Sequence, residues 1–239
     1  QLLYKAFPEM GLVSISNSQR QPIPFANFAG TVYHGLPKNL HRPTFAPRGG
    51  YLAFLGRISP EKRLDRAIEI ARAVGFPLKI AAKVDAVDVE YFEARIKPLL
   101  QGDDAQFVGE IGDSEKGKFL GEASALLFPI DWPEPFGMVM IEAMACGTPV
   151  LAFDHGSVRE VIDEGVTGFI VDDVDSGIAA IPRLLALDRA RVRRQFDERF
   201  TATSMAKAYV ALYGRAFAAS SHLPRNNEEP TAAVEALMN

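Results

Sequence analysis

Two glutamates, Glu134 and Glu142, stand eight residues apart in a stretch of the chain that is otherwise apolar. The residues between them predict a helix, because Pro135 and Gly137 are typical of a turn and residues 138–145 are mostly good helix formers. Eight residues of helix rise about 12 Å, a separation that suits the two ends of one extended ligand better than a shared metal ion. The alternative is a pair of solvent-facing charges, since exposed glutamate is common.

Two basic residues form a second candidate group. Arg57 and Lys62 flank the start of a helix that is predicted to begin at Pro60, shortly after a buried strand predicted over residues 51–55. A helix N-terminus presents free N–H groups and a partial positive charge. Together with one arginine and one lysine it makes a site for two phosphates without a metal ion. The alternative is a surface lysine that pairs with Asp65.

Strands and helices alternate along the chain from residue 51 onward. Strands are predicted at 51–55, 78–82, 106–108, 125–129, 150–153 and 169–171, and helices at 60–74, 89–100, 114–123, 138–145, 176–187, 190–200 and 204–219. This alternation predicts an α/β fold with a parallel sheet and helices on both faces. Ligands of such sheets bind beyond the carboxyl ends of the strands, and Arg57, Ile111 and Glu134 each follow directly on a strand.

The stretch from Glu134 to Glu142, with its continuation EAMACGTPV, resembles the E-x7-E signature of retaining GT-B glycosyltransferases. The family it resembles is the large one that includes sucrose synthases, sucrose-phosphate synthases and bacterial mannosyl- and glucosyltransferases. The resemblance implies that Glu134 meets the hydroxyl groups of the donor sugar and that Glu142 meets the ribose of the nucleotide. It also implies that the backbone at Phe136, Gly137 and Met138 meets sugar and phosphate.

Two further segments resemble motifs of the same family. GRISPEK, residues 56–62, resembles its phosphate-binding G-R-x4-K pattern, which implies that Arg57 and Lys62 stabilise the charge that develops on the leaving phosphate. Gly109 to Ile111 resemble the turn whose backbone contacts the nucleobase. The catalytic set implied in this way is Arg57, Lys62 and Glu134. The donor-binding set is Arg57, Lys62, Gly109, Ile111, Glu134, Phe136, Gly137, Met138 and Glu142.

Three neighbouring features have roles that the sequence leaves open. Trp132 is either a residue that stacks on a ligand or an anchor of its own loop. His155-Gly156 stands where relatives often carry Gly-Gly, and the segment 83–85 stands where they often carry a Gly-rich turn. Both departures bear on the geometry of the loops and therefore on the choice of sugar.

The chain divides into three predicted parts. Residues 1–36, with short strands near 12–16 and 31–33, are predicted to be the remnant of an N-terminal acceptor domain and the crossing that follows it. Residues 37–200 form a predicted Rossmann-like donor-binding domain, and residues 201–239 form a C-terminal helix and a frayed tail. On the family pattern this is the C-terminal half of a GT-B fold. We therefore expect the chain to bind a donor and to be inactive alone.

Composition argues against several other classes of protein. A net charge of −4 over 239 residues gives no reason to expect nucleic-acid binding. The most basic stretch, residues 189–194, is interpreted as the solvated face of a helix, with a membrane-surface patch as the less favoured alternative. The single cysteine, Cys146, excludes an intramolecular disulfide and is predicted to be a buried thiol. The motifs of a dinucleotide oxidoreductase, a P-loop and a zinc site do not occur.

The sequence and the resemblance together predict a retaining hexosyltransferase that moves a sugar from a nucleotide-diphosphate sugar to an acceptor. We expect no metal or other cofactor, and an acceptor that is a sugar or is lipid-linked. We expect a cytoplasmic location. A peripheral contact with the inner face of the membrane, made by the N-terminal half that the family pattern adds, stays an open alternative. The alternatives are a sugar phosphorylase or sugar-nucleotide epimerase of the same fold, or an isolated nucleotide-binding module without activity. The pair Glu134 and Glu142 favours the transferase.

Overall fold

The computed structural model of the chain describes residues 2–220, and the tail predicted beyond residue 220 lies outside the described residues. The strands are β1 (Leu12–Ser14), β2 (Phe28–Thr31), β3 (Leu52–Arg57), β4 (Leu78–Lys83), β5 (Ala105–Gly109), β6 (Ala125–Phe128), β7 (Val150–Phe153) and β8 (Gly168–Val171). The helices are α1 (Leu2–Ala6), α2 (Leu64–Ala73), α3 (Val89–Tyr91), α4 (Asp113–Glu122), α5 (Met138–Ala145), α6 (Val158–Val161), α7 (Val174–Leu185), α8 (Arg189–Arg199) and α9 (Ala202–Ser220). A π-helical turn (Phe92–Ile96) and a 3-10 turn (Lys97–Leu100) continue α3.

A six-stranded parallel sheet in the order β5-β4-β3-β6-β7-β8 forms the centre of the fold. Its first strand in the chain, β3, lies between β4 and β6, so the chain runs outward from β3 to one edge and then from β6 to the other. In such a doubly wound sheet the strand order reverses at one point, and ligands bind in the crevice there. The predicted α/β fold is confirmed, and the reversal lies between β3 and β6.

The strands of this sheet are apolar because helices cover both of its faces. One face packs against α4, α5 and α8, through buried residues that include Leu120, Met140 and Phe196. The other face packs against α2 and α7, through buried residues that include Leu64 and Leu184. Since all six strands run in the same direction, the loops that follow them gather at a single edge of the sheet.

The helix predicted over residues 60–74 is interrupted. A 3-10 turn, Pro60–Lys62, is separated from α2 by Arg63, whose φ of 50° is left-handed. Left-handed backbone is uncommon for residues with a side chain. Here hydrogen bonds from the Arg63 guanidinium to Asp65 and Asp131 hold the residue in place. The spacing of apolar residues does not predict this interruption, which leaves Lys62 at the end of a short turn of its own.

The interpretation of residues 189–194 as a solvated helix face is wrong. Arg189 and Arg193 are each 8% exposed, and only Arg191 and Arg194 of the four arginines are on the surface. The two buried guanidinium groups donate mainly to carbonyl oxygens, those of Thr44, Gly121 and Ala123 for Arg189 and those of Lys38, His41 and Ala145 for Arg193. Burial lowers the pKa of Arg189 to about 10. These side chains fasten the segment 38–44 to the sheet domain.

The predicted buried thiol at Cys146 is confirmed. Cys146 follows α5 directly and is fully buried. Its Sγ lies 3.6 Å from the carbonyl oxygen of Gly117, to which it donates a weak hydrogen bond. Burial raises the pKa of the thiol to about 12, so the group is protonated at neutral pH.

The residues before β3 form a separate two-stranded parallel sheet, β1-β2. The strand predicted at residues 31–33 begins three residues too late, because β2 occupies residues 28–31. Further on, Leu36 pairs with Thr201 in an isolated parallel bridge, and its N–H donates to the carbonyl oxygen of Phe200 at 2.9 Å. The two boundaries predicted near residues 36 and 200 are therefore neighbours in space. That they separate domains stays a prediction.

We expect Arg189→Met to lower the free energy of unfolding by about 3 kcal/mol, because several buried acceptors lose their donor at once. The matched control is Arg191→Met on the exposed side of the same helix, for which we expect a change within about 0.5 kcal/mol. Urea unfolding of both variants measures the difference. Equal losses in the two variants would contradict the buried role of Arg189.

Candidate functional site

Two cavities lie side by side where the strands around the reversal between β3 and β6 end. The first has a volume of about 380 Å³ and is lined by residues that include Lys62 and Glu134. The second has a volume of about 550 Å³ and is lined by residues that include Ile111 and Glu142. Both cavities share the residues Leu55, Gly56, Met138 and Val139. They therefore form one elongated cleft across the start of α5, which we call the switch-point cleft, with one glutamate in each half.

Two donors hold the carboxylate of Glu134 at one of its oxygens. Its Oε2 accepts a hydrogen bond from Lys62 Nζ, in an ion pair, and another from Trp132 Nε1 at 3.0 Å. The Lys62 ammonium also lies 5.2 Å from the centre of the Trp132 ring and 5.9 Å from that of Phe128, within the range of a cation–π interaction. The alternative pairing of Lys62 with Asp65 is therefore wrong.

The backbone of Glu134 is held as closely as its side chain. Its carbonyl oxygen accepts a hydrogen bond from the N–H of Ser157 at 3.0 Å. Gly156 lies against the same peptide with a left-handed φ of 62°, and a Cβ there would clash with the backbone nitrogen and oxygen of Glu134. The departure from the family pattern at His155 thus leaves in place the glycine that the close approach requires.

Lys116 of α4 reaches Glu142 in the other half of the cleft. Its Nζ lies 3.3 Å from Glu142 Oε1 and 3.0 Å from Asp113 Oδ1. Burial lowers the pKa of Lys116, but the hydrogen bond to Asp113 and the charge of Glu142 outweigh it, so the pKa is raised. The side chains of Glu142 and Glu134 are each 13% exposed, which rules out the alternative of two solvent-facing charges.

Sequence reasoning missed Lys116, although a signal for it existed. The residue lies in the first turn of α4, the helix that follows β5. That is the same kind of position that singled out Lys62 after β3. The rule that polar residues after parallel strands converge at one edge therefore applied to both lysines.

Arg57 is the last residue of β3 rather than part of the turn after it. Its side chain is 48% exposed at the rim of the cleft, with carboxylate oxygens of Glu61, Asp85 and Asp88 at 2.9, 3.6 and 4.0 Å. The hydrogen bond to Glu61 raises the pKa of the Arg57 guanidinium, and Asp88 and Asp85 add to the effect. The segment 83–85 departs from a Gly-rich turn, and it supplies one of these carboxylates.

The start of α5 lies between the two halves of the cleft. Gly137 precedes the helix with a left-handed φ of 76°, which favours glycine. The first N–H groups of a helix have no partner within it, and Met138 and Val139 line both halves of the cleft. Phe136 is 2% exposed, and its ring packs on His34 and Phe200 at 5.1 and 6.1 Å between ring centres. Mainly the backbone of Phe136 is thus available to the cleft.

The predicted base-binding turn is only partly in the cleft. Ile111 lines its second half, whereas Gly109 ends β5 with a left-handed φ of 82° and is not among the lining residues. The other residues of the predicted donor-binding set all line one half or the other. What each of them binds stays a prediction.

Among residues 2–220, no set of three or more His, Cys, Asp or Glu side chains is close enough together to hold a metal ion. Within the same range, no helix combines the length and the apolar content that crossing a membrane requires.

Residues 39–201 match the family model described as glycosyl transferases group 1. The chain belongs to this family. Over 192 residues it is 32% identical to the glycogen synthase of Mycobacterium tuberculosis, a match that covers 73% of this chain and 45% of that protein. Over 188 residues it is 33% identical to the D-inositol 3-phosphate glycosyltransferase of Mycobacterium sp. strain KMS, covering 71% of this chain and 40% of that protein. The chain thus spans less than half the length of these relatives.

Solved structures support the same assignment at the level of the fold. The structure of Anabaena HepE in complex with UDP and glucose matches with a TM-score of 0.75, over 90% of this chain and 66% of that one. The sequence identity is 18%, so this likeness concerns the fold alone. The GT-B type of fold expected from the resemblance is confirmed.

We expect Gly156→Ala to lower the free energy of unfolding by about 2–4 kcal/mol, because a left-handed Ala is strained and its Cβ displaces the Glu134 peptide. The matched control is Gly165→Ala, at a φ of 72° with no atom within 4 Å of the added Cβ. This control carries only the backbone strain, about 1–2 kcal/mol. Urea unfolding gives both values, and a loss in the first variant no larger than in the second would refute the close approach.

Proposed function

We propose that this chain is the donor-binding half of a retaining glycosyltransferase, which moves a sugar from a nucleoside-diphosphate sugar to an acceptor. The observation that carries the proposal is the single elongated cleft with Glu134 in one half and Glu142 in the other. An extended ligand with a sugar at one end and a nucleoside at the other fits such a cleft. Retention of configuration is proposed from the E-x7-E resemblance.

The middle of the cleft is where the diphosphate would lie. Arg57 and Lys62 line one half, and the start of α5 adds N–H groups that have no partner within the helix. These groups carry positive charge or partial positive charge, so they stabilise negative charge that develops on the leaving phosphate. Because the protein itself supplies this charge, we propose that no metal ion or other cofactor is needed.

The two glutamates would act on hydroxyl groups, because an ionised carboxylate is a hydrogen-bond acceptor only. Glu134 would accept from the sugar and Glu142 from the ribose. Ile111 and the turn that begins at Gly109 would meet the base. The UDP bound to the Anabaena neighbour makes UDP and UDP-glucose the first probes to try.

The second substrate requires a surface that we propose to lie outside residues 37–200. In this proposal residues 1–36 belong to an acceptor domain, residues 37–200 bind the donor, and α9 follows the donor domain as a C-terminal helix. The contact between Leu36 and Thr201 supports a double crossing between two domains. The acceptor is proposed to be a sugar or a lipid-linked group, the latter with peripheral contact at the inner face of the membrane. We propose a cytoplasmic location for the enzyme.

A thermal-shift screen with UDP, GDP, ADP and their glucose and mannose derivatives tests the proposal. A ligand that binds the native state raises its stability by mass action, about 2.7 kcal/mol at a hundred times the Kd. We expect one nucleoside diphosphate to raise the Tm well above the other two. If none of them raises the Tm, the proposed function is wrong.

We expect Arg57→Ala and Lys62→Ala each to weaken binding of that nucleoside diphosphate by roughly tenfold to a hundredfold, the size expected for a charge-assisted hydrogen bond. The control is Lys97→Ala, which removes an exposed lysine paired with Glu93 on a helical segment away from the cleft. Calorimetric titration of the three variants measures the effect. Unchanged affinity in both cleft variants, with folding intact, would remove the phosphate assignment.

The two glutamates separate the nucleotide end from the sugar end. We expect Glu142→Gln to weaken binding of the bare nucleoside diphosphate, because a ribose hydroxyl loses a charged acceptor. For Glu134→Gln we expect the larger loss with the nucleotide sugar. Calorimetry with UDP and UDP-glucose compares the two variants. Weaker UDP binding in Glu134→Gln, with unchanged UDP binding in Glu142→Gln, would contradict this division of roles.

We also expect these 239 residues to bind the donor without transferring its sugar, because transfer needs both reactants at near-attack distance with water excluded. Slow hydrolysis of the donor is compatible with this expectation, since water needs no acceptor site. The assay is formation of a glycoside from UDP-glucose and a mixture of sugar acceptors. A glycoside formed at a multiple-turnover rate would show that the acceptor surface lies within the chain.

A further inference from the structure

Trp132 is the only tryptophan of the chain, and its sequence context left open whether it stacks on a ligand or anchors its loop. The structure directs its indole toward Glu134, with Nε1 donating to the carboxylate at 3.0 Å. The residue is not among those that line either half of the switch-point cleft. Its ring is partly buried against the core cluster beneath α5. This placement argues against stacking on a ligand.

Two hydrogen bonds join Trp132 and Glu134, and each residue donates one of them. The backbone N–H of Glu134 donates to the carbonyl oxygen of Trp132 at 2.8 Å, across Pro133. A hydrogen bond across one residue is that of a γ-turn, and the φ that proline fixes is close to the one that an inverse γ-turn requires. One bond thus joins the backbones of the two residues while the other joins their side chains. The pair fixes the direction of the Glu134 side chain.

This arrangement makes the two oxygens of Glu134 unequal. Both Lys62 and Trp132 donate to Oε2. In the described part of the chain, no donor is bonded to Oε1. A carboxylate oxygen accepts up to two hydrogen bonds, so Oε1 is the oxygen that remains for a ligand. Lys62 alone would leave the carboxylate free to turn about its last bond, because an ammonium group has no fixed direction of donation.

We propose that Trp132 is a positioning residue, whose indole N–H holds Glu134 so that Oε1 accepts from a hydroxyl group of the donor sugar. The inference rests on the proposed function, since it assigns the sugar end of the cleft to this carboxylate. The same inference narrows the class of donor sugar, because a carboxylate held at this point repels an anionic sugar and accepts a hydrogen bond from a neutral sugar with a free hydroxyl group. Trp132 therefore acts through Glu134 and contacts no ligand itself.

The test compares the affinities of UDP-glucose and UDP by calorimetry in the wild-type chain and in Trp132→Phe. Phenylalanine keeps an aromatic ring beside Lys62 and removes the N–H donor. We expect the affinity for UDP-glucose, divided by that for UDP, to fall about fivefold in this variant, which is the effect expected from losing one hydrogen bond. The control is Tyr51→Phe, which removes a buried aromatic donor bonded to the carbonyl oxygen of Phe119, away from Glu134. In the control we expect the ratio to stay at its wild-type value.

A double-mutant cycle with Glu134→Ala separates positioning from direct contact. If Trp132 acts only through Glu134, then Trp132→Phe changes the ratio no further once the carboxylate is gone. A ligand-stacking tryptophan would give the same loss in either background, and this outcome overturns the inference. Thermal unfolding verifies that each variant is folded, and Trp132→Leu, which also lacks a side-chain donor, replaces the phenylalanine variant if the latter unfolds.

The outcomes also separate this inference from the proposed function. A wild-type chain that binds none of UDP, GDP, ADP and their glucose derivatives overturns both. If GDP or ADP binds in place of UDP, the same comparison is made with that nucleotide and its glucose derivative. A wild-type chain that binds both equally well removes the sugar contact, and with it the role of Trp132. A preference for UDP-glucose that is unchanged in Trp132→Phe overturns the inference and leaves the proposed function standing.

Discussion

Every candidate side chain in this protein depends on the place where the strand order reverses. Since β4 and β6 lie on opposite sides of β3, the connections that leave β3 and β6 diverge, and the space between them stays open. Lys62 follows one of these strands and Glu134 follows the other. They meet in an ion pair across 72 residues of sequence because both lie at this opening. The order of the strands thus creates the cleft, and the side chains then determine its charge.

The basic side chains of the cleft all form ion pairs with carboxylates. Lys62 is bound to Glu134, Lys116 to Glu142, and Arg57 to acidic residues at the rim. Charged groups that are partly removed from water need such partners, because an unpaired charge in this position is costly. A phosphate that draws Lys62, Lys116 or Arg57 toward itself therefore competes with a carboxylate that is already bound to that group. Its net binding free energy is the difference between two sets of contacts.

The sequence predicted the parts of this protein that periodicity and position determine. The alternating strands and helices, the helix between the two glutamates and the convergence of Arg57 and Glu134 all follow from such rules. It did not predict the break at Arg63, because a left-handed residue held by two carboxylates leaves no trace in apolar spacing. It also misplaced Arg189, since composition does not distinguish an arginine in water from one that donates to buried carbonyl oxygens.

The carboxylates around Arg57 have a consequence for how an anion reaches the cleft. Arg57 and Lys83 carry two positive charges beside the three negative charges of Glu61, Asp85 and Asp88, which leaves this rim at −1. The whole chain carries −4, so the surface presents net negative charge to solvent. Long-range attraction raises association rates only where the field of a surface favours the incoming charge. At this rim the field opposes a polyanion at a distance and favours it only at contact. Added salt screens the distant repulsion more than the close contact, so moderate ionic strength speeds the encounter rather than slowing it.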